Sequence, residues 1–469
     1  MPTDCIPHQL EFQGLARRTV MASFDGGTLS SDGGVLLLGE VDRRLGLLDQ
    51  FAACFKDHRN PDLVEHSVKD LVRQRVLALA LAYEDLNDHD ELRADPLLAT
   101  VVGKADPTGS GRRQEQDRGK PLAGKSTLNR LEWGAVKQDR YRKITIDPEA
   151  VDRFFVDVFV AAFRKAPVEI VLDLDATDDP VHGQQEGRFF HGYYGGYCYL
   201  PLYIFCGSHL LCARLRSANV DASSGAVAEL ARIVAQIRQS WPHVRIIVRG
   251  DSGFAREELM SWCEQNGVDF VLGLARNARL QRVLGGELAQ ARTLFEASGK
   301  AARVFKDFVY QTRKSWSCQR RVIGKAEHLA KGTNPRFLVT SLSCEAWKAQ
   351  ELYEKLYCAR GEMENRIKEQ QLCLFADRTS THHMRSNQVR LWLSSVAYIL
   401  LDALRRLGLA GTDLAQARCD TIRLKLLKIG ARVKVTMRRV WVHLASSYPY
   451  ACLFAQIVAQ LRSSPPTLA

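Results

Sequence analysis

Four short apolar runs constrain the fold of this chain more than any other feature: EIVLDLD (169–175), RIIVRGD (245–251), DFVLGLA (269–275) and RFLVTSL (336–342). Each is rich in Val, Ile, Leu or Phe and nearly continuous in apolar character, as a strand covered on both faces of a sheet must be. Residues 195–206 (GGYCYLPLYIFC) and 211–218 (LCARLRSA) read as two more strands between the first run and the second. Residues 226–239 and 256–266 carry helical spacing. Three strands followed by alternating helix and strand predict an α/β layer arrangement built on a mixed sheet.

The chain has 469 residues, more than one typical domain, and its texture changes along its length. Residues 1–150 are polar, broken and mainly helical in pattern, and 151–275 hold the first part of the sheet. Residues 276–335 interrupt the order. There RVFKDFVYQTRKSWSCQRRVIGKAEHL (303–329) alternates like a basic β-hairpin, so a β-rich insertion is expected. Residues 336–410 restore strand and helix, with a long helix from about Glu345 to Leu374 and another over 387–407. The last segment, 411–469, is basic: Thr421 to Leu444 holds seven Lys or Arg and no acid.

The composition, 46% hydrophobic and 25% charged, suits a globular protein with a sizeable core. Net charge is +12, from 65 Lys+Arg against 53 Asp+Glu, which favours a polyanionic partner through counterion release. Twelve cysteines include no CxxC pair and fall largely on apolar runs, so a reduced, cytoplasmic setting is expected rather than zinc or disulfides. The N-terminal MPTDCIPHQLEFQG lacks an apolar signal region, and the longest apolar stretch (389–404) is too short to span a bilayer.

Two strand runs end in acids. Asp173 and Asp175 close the first, and Asp251 closes the second before a Ser-Gly turn. In open α/β sheets such ends line the crevice where ligands bind. A third carboxylate, Glu364, lies on the long helix in one stripe with Tyr357, Arg360, Lys368 and Gln371. Hard divalent cations take oxygen ligands, and two of them roughly 4 Å apart can serve phosphodiester chemistry. Spacing alone leaves solvated loop acids as the alternative, and leaves Asp173 and Asp175 in competition.

The stretches DLDATDDPVHGQQEGRFFHGYYGGYCYLPLYIF, VRGDSGF and YCARGEMENRIKE resemble the DDE transposases of bacterial insertion sequences. The resemblance is to the group with a Tyr-x2-Arg-x3-Glu-x6-Lys signature and an RNase H-like catalytic core. It implies that Asp175 of Asp175-Ala176-Thr177, Asp251 and Glu364 hold catalytic metal, Mg²⁺ or Mn²⁺, as two ions. It also implies that Tyr357 and Arg360 face DNA, and that the protein binds terminal inverted repeats, cleaves a strand there and transfers the 3′-hydroxyl to target DNA. Such a protein is bacterial, nucleoid-associated and works as a homodimer in a synaptic complex. The N-terminal helices would read the DNA ends. The signature Lys falls on Gln371, and Lys368 one turn earlier is its candidate replacement. Two rivals are an RNase H-like nuclease without strand transfer and a catalytically silent transposase-derived DNA binder.

Other signals carry two readings each. His182, just after the first acid, is either a loop residue or a phosphate contact. Trp316, among Arg313, Lys314, Arg320 and Arg321, either stacks on a base or packs in a small β-core. The basic stretch 421–444 is a guarded edge strand, a DNA-backbone stripe, or both. Residues 119–126 fit G-x4-G-K-[ST], but the polar stretch before them cannot form the buried strand a P-loop needs, so no nucleotide cofactor is expected.

Overall fold

The computed structural model describes residues 9–463. The first eight residues, including Cys5 and part of the stretch read for an export signal, lie outside the described residues. The apolar runs become strands of one sheet. In chain order these are β1 (Glu169–Ala176), β2 (Leu202–Cys206), β3 (His209–Arg214), β4 (Arg245–Gly250), β5 (Asp269–Leu274), β6 (Ala302–Tyr310), β7 (Arg320–Leu329) and β8 (Arg336–Thr340). In space they lie in the order β3-β2-β1-β4-β5-β8-β7-β6. β1, β4 and β5 run parallel, while β2 is antiparallel to its neighbours β1 and β3. β8 is antiparallel to both β5 and β7.

Both faces of the sheet are covered, which is why these runs are apolar throughout. Ile170, Leu172 and Leu174 of β1, with Ile246 and Val248 of β4, turn to a core shared with the helices Pro148–Ala161, Ala226–Ser240 and Glu257–Gln265. The first of these starts as its residues dictate: the Asp147 side chain accepts from the backbone N–H groups of Glu149 and Ala150, with Pro148 in the first turn. Val171, Ile247, Val271, Ile323 and Leu338 turn the other way, onto Leu352, Tyr353 and Leu356. Asp173 and Asp175 share that second face, because alternate residues of a strand do.

Residues 276–335 hold the hairpin expected over 303–329 and helices as well. They begin with two helices, Ala278–Val283 and Gly285–Ser298, and the hairpin β6–β7 that follows is not a separate layer. It joins the main sheet through β8, with Val322 and Ala326 of β7 buried on one face and Ile323, beside the Lys325–Glu327 ion pair, on the other. The N-terminal region is mainly helical. Its helices Val35–Leu45 and Val68–Ala80 pack around the 25-residue helix Met384–Gly408, which contains the apolar stretch 389–404 and is buried along most of its length. Buried Glu132 joins the two halves by accepting from Arg75 and Arg390 at 2.7 Å each. The basic C-terminal hairpin, Ala431–Val435 with Val440–Leu444, pairs with Leu29–Ser30, so both ends of the chain share a small sheet.

No helix among the described residues is long and apolar enough to cross a membrane. The cysteines among them are free thiols.

Candidate active site

β1 and β4 are adjacent and parallel, with Gly250 in register with Leu174. Asp251, the next residue, therefore leaves its strand beside Asp175, close enough to act on its charge. One step back, Arg249 stands beside Asp173. Both are buried, at 6% and 3% exposure. The Arg249 fork holds both Asp173 oxygens, with Nη2 at 2.7 Å from Oδ2, and Nη1 donates to the Leu356 carbonyl. Burial pushes the Asp173 carboxyl up and Arg249 opposes that push. Asp173 is thus matched by one fixed guanidinium, which also fastens the helical segment above the sheet.

Asp175 has no such private partner. Arg360 Nη1 lies 3.1 Å from its Oδ1, while Nη2 of the same guanidinium bonds Glu364. Burial lifts the Asp175 carboxyl to about 6; Arg360 opposes this, and Asp251 and Glu364 add to it. Burial works against the Arg360 charge in turn, but Asp175 and Glu364 outweigh it and hold the guanidinium above its ordinary value. Asp251 Oδ1 accepts the Gly253 backbone N–H at 2.9 Å, which fixes the turn after β4. Gly273 on β5 lets the turn and the helix approach: a Cβ there would lie 2.7 Å from the Tyr357 hydroxyl and 2.8 Å from the Ser252 nitrogen. Asp251, Tyr357 and Arg360 line a cleft of about 610 Å³ together with Arg276 and Arg336.

The helix carrying these groups departs from the uniform one expected from residue 345. It is wide-wound (π) over Leu352–Tyr357, tight (3₁₀) over Cys358–Arg360, and α-helical over Gly361–Leu374. Such interruptions cluster at functional sites because they re-aim side chains. Here the change of winding falls between Tyr357 and Glu364. Farther along, Lys368 is exposed. Gln371 turns instead to the loop after β1, donating to the Asp178 carbonyl at 3.1 Å and to Asp179 Oδ1 at 2.9 Å. Asp179 is fully buried, which pushes its carboxyl up to about 8.

Two other candidates lie away from this cleft. His182 is exposed and borders a separate cleft of about 320 Å³ with Asp377 and Thr379. Trp316 is only 6% exposed. It packs edge-on against Tyr310 at 5.7 Å and beneath Arg320, the arrangement the packed reading expects. The basic cluster around it did not bring it to the surface, because Arg320 is buried and bonded to Glu257 and Glu264. Residue pattern also passed over Arg249. The available signal was a charged residue inside an apolar strand run, two before Asp251, as Asp173 stands two before Asp175.

Among the described residues no three His, Cys, Asp or Glu side chains close into a ready ion cage, and Arg360 lies between Asp175 and Glu364. The donor set nonetheless fits a hard divalent cation. It is all oxygen, and it gathers three acids of which one is buried enough to hold its proton up to about 6. A family model for the transposase DDE domain, group 1, matches residues 12–466. No curated protein matches the chain.

Proposed function

The chain belongs to the transposase DDE domain group 1 family, and from that premise we propose that it is an insertion-sequence transposase. It binds the terminal inverted repeats of its element, cleaves a strand at each end and joins the freed 3′-hydroxyl to target DNA. The observation that carries this reading is the pair Asp175 and Asp251 at the carboxyl ends of adjacent parallel strands, with Glu364 tied to the first through Arg360. The strand order β3-β2-β1-β4-β5, with β2 alone antiparallel among those five, supports an RNase H-like core extended at one edge by β8, β7 and β6.

In this reading Asp175, Asp251 and Glu364 hold divalent metal, Mg²⁺ or Mn²⁺ as two ions, which when bound supplies charge for attack on phosphorus and for departure of the leaving oxygen. Arg360 keeps its proton and, released from one of its two carboxylates, offers a planar fork to the phosphate beside the scissile bond. Arg276 and Arg336 give the cleft the same sign of charge for the strand that enters it. Tyr357 holds the helix against Gly273 and keeps Arg360 over the strand ends. Arg249, with Asp173 and the Leu356 carbonyl, anchors that helix from below. Lys368 stands in for the signature Lys as a phosphate contact, since Gln371 is engaged with Asp178 and Asp179. The N-terminal helical region and the outward residues Arg432 and Lys434 of the C-terminal hairpin supply further backbone contacts. The working assembly is a homodimer on two DNA ends, in the bacterial cytoplasm with the nucleoid.

The test uses purified protein and DNA carrying the ends of the encoding element. Asp251→Ala is expected to retain end binding in a gel-shift assay and to lose Mg²⁺-dependent nicking by about a thousand-fold or more, the size of a lost metal contribution of several kcal/mol. Nicking by that variant at the wild-type rate overturns the assignment. Strand-transfer products with the wild type separate a transposase from a nuclease that only cuts.

A further inference from the structure

The segment between β1 and β2 folds as a small antiparallel hairpin, Phe189–His191 with Gly196–Tyr199. One side of it is anchored. Cys198 and Tyr199 are buried, and the Tyr199 hydroxyl donates to the Glu186 carbonyl at 2.6 Å. The turn leans toward the catalytic strand: the Tyr194 hydroxyl donates at 3.4 Å to the carbonyl of Ala176, the residue after Asp175. The other side is aromatic and open, with Tyr193 exposed by 86%, Phe190 by 59% and Tyr197 by 48%. Arg188 lies over the Tyr197 ring, 4.4 Å from its centre. A Cβ added at Gly192, Gly195 or Gly196 would meet nothing within 4 Å among the described residues, so this tip is open there. Several large aromatics kept in water beside a catalytic cleft mark a contact surface rather than stray surface residues.

We propose that this hairpin is a stacking platform for unpaired DNA bases next to the scissile phosphate, with Phe190, Tyr193 and Tyr197 taking base faces and Arg188 meeting the backbone. The partner follows from the chemistry. Aromatic rings interleaved with a guanidinium suit single-stranded nucleic acid, because every base has a π face and a phosphate follows it. Bases inside a duplex are already stacked on each other, so the platform takes bases that have left the helix. The Tyr194 tether puts such bases at the end of β1, beside the cleft where a strand would be cut. This is the role the sequence suggested for Trp316, which is buried in the core. The identity of the nucleic acid rests on the transposase reading above; the stacking itself does not.

The experiment measures anisotropy of a fluorescein-labelled oligothymidylate of about 15 nucleotides and of an abasic strand of the same length, against the full-length protein. The wild type is expected to prefer the thymidylate. Phe190→Ala with Tyr193→Ala should weaken thymidylate binding by roughly ten-fold or more and leave abasic binding unchanged, since only base stacking is removed. Phe190→Trp with Tyr193→Trp should restore the preference, and both variants should keep the wild-type melting temperature because the rings are exposed. Equal binding of both strands by wild type and alanine variant overturns the proposal. A fall in sedimentation mass of the alanine variant with unchanged thymidylate binding also overturns it, making the hairpin an interface between copies of this chain. Asp251→Ala keeps the base preference in the same assay. Absent nicking by wild type alongside a retained preference would therefore defeat the transposase reading and leave the platform standing.

Discussion

Asp173 and Asp175 stand two residues apart on one face of β1, the first within the sheet and the second at its carboxyl rim, and the two regions treat the same carboxylate differently. Inside, Asp173 meets one guanidinium in a two-pronged bond, and the third nitrogen of that guanidinium donates to the Leu356 carbonyl. Charge is matched one to one and nothing is left to exchange. At the rim, Asp175 shares Arg360 with Glu364 while Asp251 stands alongside on β4. One guanidinium there is shared by two acids, with Asp251 next to them in the cleft that Arg276 and Arg336 also line. The interior pair is closed on itself; the rim, in the proposed function, is where further positive charge and then phosphate would be taken up. Burial is the first influence on both carboxyls, although Asp175 is the more exposed of the two. The stoichiometry of their partners separates them further.

The largest effect expected from attacking this contrast is structural. Arg249→Met leaves Asp173 buried without a partner and should cost about 3–5 kcal/mol, read as a fall in calorimetric melting temperature, whereas replacing Asp173 as well by Leu should recover most of it. If Arg249→Met instead melts like wild type and loses only cleavage, the interior pair belongs to the chemistry and the contrast fails.

Asp175→Asn should act in the opposite direction on stability. The Asp175 carboxyl is raised in the folded chain, so the unfolded chain releases its proton first as pH rises. Stability is therefore lost between about pH 4 and pH 6 and stays lost above, by up to about 3 kcal/mol. The uncharged variant should accordingly melt higher than wild type near pH 8 and about equally near pH 4, while failing to nick DNA. An identical difference at both pH values would show that the rim carboxylate is as well compensated as the interior one. For the same reason, stabilisation of the wild type by added Mg²⁺ should grow as pH rises through about 6, because the ion and the proton compete for Asp175.

Smallest is Lys368→Ala. The side chain is exposed, so the melting temperature should move by less than about 0.5 kcal/mol equivalent. The slope of log affinity against log salt for end DNA should fall by about one, as for one lost phosphate contact. An unchanged slope would confine the phosphate-facing part of the helix to Arg360.

Several parts of this arrangement are legible along the chain. The runs that became β1, β4, β5 and β8 announce themselves because a strand covered on both faces leaves no polar period, and the acids at their ends follow at once. Asp147-Pro148-Glu149 declares its helix through local capping chemistry. Other parts are silent. Residues 278–298 hold two helices that the alternation of the neighbouring hairpin drew into a β reading. The wide turn over Leu352–Tyr357 has no residue signature; within it Leu352, Tyr353 and Leu356 pack on the sheet and the Leu356 carbonyl accepts from Arg249, a partner far away in the chain. Trp316 looks exposed by its basic neighbours, yet Arg320 beside it folds down onto Glu257 and Glu264 and closes over the ring.

By itself, then, the sequence determined which stretches are strands, that carboxylates terminate two of them, and which family the chain belongs to, because apolar period and motif order depend on residues near one another in the chain. Only the tertiary structure decided that Asp173 is held by Arg249 while Asp175 shares Arg360 with Glu364, that Gln371 serves the Asp178–Asp179 loop, and that Phe190, Tyr193 and Tyr197 are exposed while Trp316 is buried. Each of those outcomes rests on a partner from a distant element: Arg249 on β4, Arg360 and Gln371 on the helical segment, Glu257 and Glu264 on the helix over the sheet. Burial and charge balance are properties of the assembled neighbourhood, and no local pattern carries them.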